Sequence, residues 1–338
     1  MRILIAGLGA IGQRHARNLR ALFGDRVELL AFRRRRLTYV VTDSLERDDS
    51  RNVEDELGVT AYEDLDEALA AGADAVFVCT PSSQHVEIAQ RAAAAGCHLF
   101  IEKPLSHTLD GVERLRATVA SKGLVAIVGC QWRYHPCVRW LRDLLQSGTL
   151  GPLVRAEIEY GDYLPDFHPY EDYRTSYAAR TDLGGGVVLT QIHDYDLAWW
   201  LFGPPRTVTA SGGHLSALDI DVEDTVDAQL EGGAVPVSVR QSFASRPPRR
   251  TINVAGEHGS VTVDLVAASI NTDSRMPAPA AFVGYQRNQM FMDEARHFEA
   301  CLAGRAKAAV PLEDGIAVLQ LALAVKDAMR TSRTVTIN

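Results

Sequence analysis

At 338 residues the chain is too long for one ordinary core and suits two domains. Apolar residues make up 46% and charged residues 23%, a soluble globular balance, and a formal net charge of −8 argues against nucleic-acid binding, which needs a basic surface. No apolar run is long enough to span a bilayer, and the five cysteines form no CxxC pair and no zinc spacing, which fits the reducing cytoplasm.

Met1-Arg2-Ile3-Leu4-Ile5-Ala6 reads as a first strand, because glycines and then Gln13-Arg14-His15 interrupt it too early for a signal peptide. Ala10 to Phe23 has helical spacing. Further apolar strands follow at "VELLAF" (27–32), "DAVFVCT" (74–80), "CHLFIE" (97–102) and "VAIVGCQ" (125–131). Between them, "DLDEALAAG" and "SQHVEIAQRAAAAG" have helical composition, and each closes on a glycine suited to ending a helix. Strands alternating with helices of this length predict βαβ units and a parallel sheet.

After Gly151-Pro152 the pattern switches to period two, in segments 153–164, 206–215, 225–233, 236–245 and 249–265 joined by turn residues. This predicts an antiparallel sheet with one face solvated or paired to another subunit. Met276 to Asn288, with Pro277 and Pro279, reads as loop. Helices are expected over about 289–303 and 312–330, packed back near the domain junction, with a last strand at 334–338. The fold class is α/β: a Rossmann domain over 1–123, then an α/β domain over 124–338 with a large, mainly antiparallel open sheet.

"GLGAIG" at 7–12 follows the first strand and opens the first helix. Gly7 permits the tight turn, Gly9 lets the backbone approach a pyrophosphate, and Gly12 allows close helix–strand packing, with Ala10 and Ile11 completing the phosphate loop. The free N–H groups of the helix start then face the anion. An NAD-type site carries an acid about twenty residues further on, at the end of the second strand. Here that place holds Arg33, Arg34, Arg35 and Arg36, so NADP(H) is expected in preference to NAD(H), with NAD(H) still possible. A second loop, "CTPSSQH" (79–85), crosses the carboxyl edge of the sheet at Thr80-Pro81. It also reads as an ordinary strand-to-helix turn capped by Ser82 or Ser83, and both readings hold together.

The strand "CHLFIE" runs straight into Glu102-Lys103-Pro104. Either this is a solvated corner, or something there needs a positioned ammonium group. With the glycine loop, Thr80-Pro81, His85 and Glu102-Lys103-Pro104 in this order, the sequence resembles the glucose–fructose oxidoreductase/inositol dehydrogenase (Gfo/Idh/MocA) family. The resemblance runs nearly the whole length and includes Arg133-Tyr134-His135-Pro136, "GGGVVLTQIHDYDLAWWLFG" (184–203) and "EARHFEACLAG". It implies an NAD(P)-dependent dehydrogenase or reductase acting on a sugar, cyclitol or derivative. The family's second sheet often serves oligomerisation, and the period-two face needs a cover, so a homodimer or homotetramer through that sheet is expected; charge and hydropathy give no nucleic-acid or membrane partner.

By the same resemblance, Lys103 meets the nicotinamide and the reacting hydroxyl and takes part in proton transfer. Glu102 orients the lysine or packs against the cofactor ribose, and Thr80, Pro81 and His85 complete the cofactor edge. His193 is the candidate proton shuttle. Many members place an aspartate four residues before that histidine; here Leu189 stands there, which leaves Thr190, Gln191, Asp194 or Asp196 to supply hydrogen bonds. The stretch 160–180, rich in tyrosine, reads as a substrate loop or as a packed crossover. As a loop it would offer Tyr163, His168 and Arg174 to the substrate, beside Arg133 and Thr190. A metal site on His168 and His193 lacks ligand spacing, and none is expected. The alternatives to a dehydrogenase are a glycosidase that uses nicotinamide transiently and an NAD(P)- or sugar-binding regulator without turnover.

Overall fold

The computed structural model describes residues 1–34, 37–273, 282 and 284–337. Arg35, Arg36, most of the Met276–Asn288 loop and the final Asn338 lie outside the described residues.

Runs of apolar residues buried on both faces make the first sheet. Its six strands are all parallel, in the order Val59–Tyr62, Glu28–Phe32, Arg2–Ala6, Ala75–Val78, His98–Glu102 and Ala126–Gly129. Ile3, Leu4 and Ile5 and the whole run Ala75-Val76-Phe77-Val78 are 0% exposed, as expected where helices cover both sides. Strand order reverses between Arg2–Ala6 and Ala75–Val78, and that reversal opens a crevice at the carboxyl ends of the strands. The expected boundary at 123/124 falls one strand early. Ala126–Gly129 pairs in register with Leu99–Glu102, so backbone hydrogen bonding holds it in the first sheet. The edge strand Val59–Tyr62, short and partly exposed, escapes the sequence reading.

The period-two segments form an eight-stranded sheet in the order Ser269–Thr272, Gly259–Asp264, Ala244–Gly256, Leu153–Tyr163, Val237–Ser242, Thr225–Glu231, Thr207–Gly213 and Val335–Thr336. Neighbours are antiparallel except Leu153–Tyr163 with Val237–Ser242, which run parallel. Alternation sorts the faces: Val226, Ala228 and Leu230 are buried, while Asp227, Gln229 and Glu231 are exposed. Helices His193–Phe202 and Leu312–Thr331 pack on the buried face.

Of the two C-terminal helices, Asn288–Leu302 returns to the first domain, as expected, and lies against the helix Ala10–Phe23. Phe298 sets its ring edge-on to Phe77 and Phe100 at 5.3 and 5.7 Å, and those two stack at 4.5 Å. Each such buried ring contributes about 1.5–3 kcal/mol from burial. The crevice therefore has a floor from the first sheet and walls from both domains.

Candidate active site

The glycine loop is shaped by contacts that exclude side chains. Gly7 has φ +104, and a Cβ there would come 2.8 Å from the Cys79 carbonyl oxygen; at Gly12 it would come 1.9 Å from the Gly7 carbonyl oxygen. Gly9 has nothing within 4 Å, which leaves its face open to a ligand. It begins the helix Ala10–Phe23 with no side-chain cap, so the first N–H groups remain available to an anion. This cradle fits a dinucleotide pyrophosphate. Gly7, Gly9, Ala10 and Ile11 border a cavity of about 1050 Å³ together with Arg33, Arg34, Thr80 and Pro81. Gly12 lies off the wall, beneath the loop, and its part is packing.

At the second strand, Arg33 donates to the Leu37 carbonyl at 2.7 Å and pairs with Glu54, while Arg34 lies 6.0 Å from the Phe32 ring centre. His85 departs from expectation. Its Nε2 is 2.7 Å from the Thr80 carbonyl oxygen and its Nδ1 is 2.8 Å from that of Pro104. The ring sits off the cavity wall and braces two loops that border it. Burial keeps its pKa below the ordinary histidine value against the pull of both carbonyls.

Glu102 and Lys103 end their strand on the cavity wall. The Glu102 carboxylate accepts from His15 Nε2 at 2.7 Å and from the Lys103 backbone N–H at 3.2 Å, so it fixes the strand end from below. Lys103 Nζ donates to the Thr190 backbone carbonyl at 3.1 Å. His193, 4% exposed, opens the helix His193–Phe202 beside it, edge-on to Trp132. Burial, reinforced by the charges of Lys103, Arg250 and Arg287, holds the His193 pKa well below its ordinary value. The imidazole is therefore neutral at working pH, and its Nδ1 lacks a hydrogen-bond partner among the described residues. A neutral base and an ammonium donor thus stand together over the crevice.

Several expected substrate contacts are corrected. Thr190 is 0% exposed and meets Lys103 through its backbone, and its hydroxyl does not reach the cavity. Arg133 is buried away from the wall, neutralised by Asp196 at 2.6 Å and Asp314 at 2.8 Å. Asp196 is thereby spent on structure. Arg174 is held outside by Asp172, two residues away, at 2.5 Å, and Tyr163 lies off the wall under the Arg246 guanidinium at 3.7 Å. His168 does line the cavity, stacked on Phe167 at 4.3 Å with Nδ1 3.1 Å from Glu171. Tyr160, Asp162, Tyr170 and Tyr177 of the same stretch join it there. Among the described residues, no group of three His, Cys, Asp or Glu is placed to hold a metal ion.

Sequence reasoning missed Trp132, Arg250 and Arg287 on the wall. Arg250 read as one more residue of a period-two strand, and only the alternation, which turns it inward, hinted at a role.

The glycine cradle, the open helix start and the lysine at the strand end define an NAD-binding oxidoreductase of the Rossmann class. Residues 1–130 match the oxidoreductase family with an NAD-binding Rossmann fold, and residues 138–262 match the GFO/IDH/MocA C-terminal domain. The chain belongs to the Gfo/Idh/MocA family. It is 28% identical over 349 residues to a myo-inositol 2-dehydrogenase of Thermotoga maritima, across 99% of this chain and 98% of the relative. GenD2 from gentamicin A biosynthesis, solved with NAD, superposes with a TM-score of 0.81 at 26% identity, over 100% of this chain and 96% of that one. The WlbA dehydrogenase of Bordetella pertussis, solved with NADH and UDP-GlcNAcA, shares the fold at a TM-score of 0.85 and 23% identity, over 100% and 98% of the two chains.

Proposed function

We propose that the enzyme interconverts a secondary alcohol and a ketone on a sugar, cyclitol or sugar derivative. The observation that carries this reading is the pairing of Lys103 with a buried, neutral His193 at the wall of the dinucleotide cavity. Bound nicotinamide would supply the hydride acceptor or donor. In the oxidative direction His193 takes the hydroxyl proton, and Lys103 holds the same oxygen and offsets its developing negative charge. The Thr190 carbonyl accepts from the Lys103 ammonium and so aims it. Tyr160 and His193, both on the cavity wall, each keep a buried polar atom without a partner among the described residues, which suits a substrate rich in hydroxyl groups. The named inositol dehydrogenase relative supports a cyclitol or sugar. The test is a panel of cyclitols, sugars and nucleotide sugars, following nicotinamide absorbance with both cofactors. Product formation without net cofactor turnover would replace this reading with a glycosidase, and cofactor binding without any turnover would replace it with a regulator.

NADP(H) is the preferred cofactor in this reading, with NAD(H) accepted. Arg33 and Arg34 border the cavity at the second strand end, where no carboxylate follows Phe32 in sequence; Glu54 approaches Arg33 from the helix Val53–Leu57. Titration of both cofactors into the wild type and an Arg33→Ala, Arg34→Ala double variant decides it, and tighter NAD(H) binding by the wild type overturns it. The exposed polar face of the eight-stranded sheet is the surface through which a homodimer or homotetramer would form. The five cysteines are free and buried, consistent with a cytoplasmic setting, and no helix among the described residues is long and apolar enough to cross a membrane.

A further inference from the structure

Arg250 is 4% exposed, yet it lines the cavity. It lies between two aromatic rings, 4.8 Å from Trp132 and 4.6 Å from Tyr160. A guanidinium has five N–H donors. Among the described residues a single hydrogen bond is made, from Nη2 to Gln191 Oε1 at 2.5 Å. Nη1 comes 3.3 Å from Asp194 Oδ1, but both atoms are left without a hydrogen bond. Gln241 binds the other Asp194 oxygen at 2.8 Å and the Gln191 carbonyl at 2.7 Å. Gln191 and Asp194 flank His193 in sequence, so this arginine is locked to the turn that carries the candidate base.

Burying Nη1 without a hydrogen bond costs about 1–3 kcal/mol, and more because the group is charged. The surrounding charge does not remove the need. Lys103, Arg250 and Arg287 all act on His193, and the acids facing Arg250 are Asp194 and Asp162. Burial disfavours the charged form of both carboxyls. A rigid, planar cation with free donors and flanking aromatic rings matches a carboxylate, which it can grip through two parallel hydrogen bonds.

We propose that Arg250 is a substrate-binding residue that takes the carboxylate of a polyhydroxy acid and so fixes which hydroxyl-bearing carbon faces Lys103 and His193. The inference rests on the dehydrogenase reading for its place in the reaction, but the carboxylate subsite is a binding property that stands apart from turnover. The acid is either a ring-closed uronate or an open-chain aldonate, and the two are separable by experiment.

The experiment measures binding by calorimetry to the protein saturated with reduced cofactor, using D-glucuronate against D-glucose and D-gluconate against sorbitol. In the wild type at least one acid is expected to bind about tenfold or more tighter than its neutral counterpart, as one charge-assisted hydrogen bond provides. The acid that shows the preference identifies the ring or chain form. Arg250→Gln should abolish the preference with cofactor affinity unchanged. Arg250→Lys, which keeps the charge and loses the fork, should leave a reduced preference and serves if the glutamine variant does not fold. Equal affinity for acid and neutral partner in the wild type, binding of none of the four, or a preference that survives in Arg250→Gln overturns the proposal. Turnover of a neutral cyclitol without carboxylate preference sinks this subsite and spares the dehydrogenase reading. Carboxylate preference without any hydride transfer does the reverse.

Discussion

In the proposed reaction Lys103 and His193 divide the proton chemistry because their surroundings differ. The lysine bonds a backbone carbonyl and keeps N–H donors for the substrate, whereas the histidine is buried among cations and stays neutral. Lys103→Ala should lower turnover by about two orders of magnitude or more while cofactor affinity stays near the wild-type value. Near-normal turnover in that variant would remove Lys103 from the chemistry. For His193 the sign follows from its lowered pKa. The base form persists as pH falls past the ordinary histidine value near 6.5, so wild-type oxidation should decline only well below it. His193→Asn should lose both rate and that acid limb. An acid limb at the ordinary histidine value, or one that survives in the variant, would show that another group controls it.

Element ends carry a second pH dependence. His135 caps the helix Pro136–Ser147, its Nδ1 accepting from the Cys137 N–H at 3.3 Å, with its ring edge-on to Tyr285 at 4.7 Å. Burial pushes its pKa down to about 4. Between the unfolded value near 6.5 and that folded value, the unfolded chain binds a proton that the native protein refuses. The neutral ring therefore contributes stability above this window that drains away as pH falls through it, about 3 kcal/mol in full. His135→Asn keeps a capping side chain and removes the titration. Urea unfolding near neutrality and at about pH 5 should show a loss roughly 2 kcal/mol smaller in the variant than in the wild type. Equal losses would mean that His135 does not titrate differently on folding.

The two domains share one body through the returning C-terminal helix. Phe298, 1% exposed, inserts between this helix and the aromatic pair of the first sheet. Phe298→Ala should cost about 3–5 kcal/mol and expose the segment Asn288–Leu302 to proteolysis, because the cavity left there is lined by rigid sheet residues. A change in urea-unfolding free energy below about 1 kcal/mol would show that the helix is held elsewhere. The proposed assembly would act at the same scale. Val237, Val239, Ile252 and Val254 are buried on the inner face, whereas Glu157, Asp227, Gln229 and Arg240 face outward from the same sheet. Light scattering at micromolar concentration should find a dimer or tetramer, and a monomer there would refute assembly through this face.

Local periodicity and short motifs were enough, by themselves, to determine most strands of both sheets and the glycine cradle, and the family resemblance singled out Lys103 and His193 as the candidate pair. Each depends on backbone geometry or on residues close in sequence: Gly7 to Gly12 shape one loop, and Lys103 follows its strand directly. Tertiary structure alone decided which charged side chains are free to meet a ligand. Arg133 and Arg174 look like substrate groups in sequence, but Asp196, Asp314 and Asp172 take them up, two of those partners from far along the chain. His85 likewise joins Thr80 to Pro104, two loops brought together by neighbouring strands. Arg250 is the converse case, an unremarked strand residue that folding carries to His193 and leaves with open donors. Charge on a side chain is written in the sequence, but its neutralisation depends on three-dimensional neighbours, because Coulomb attraction and hydrogen bonding act across space.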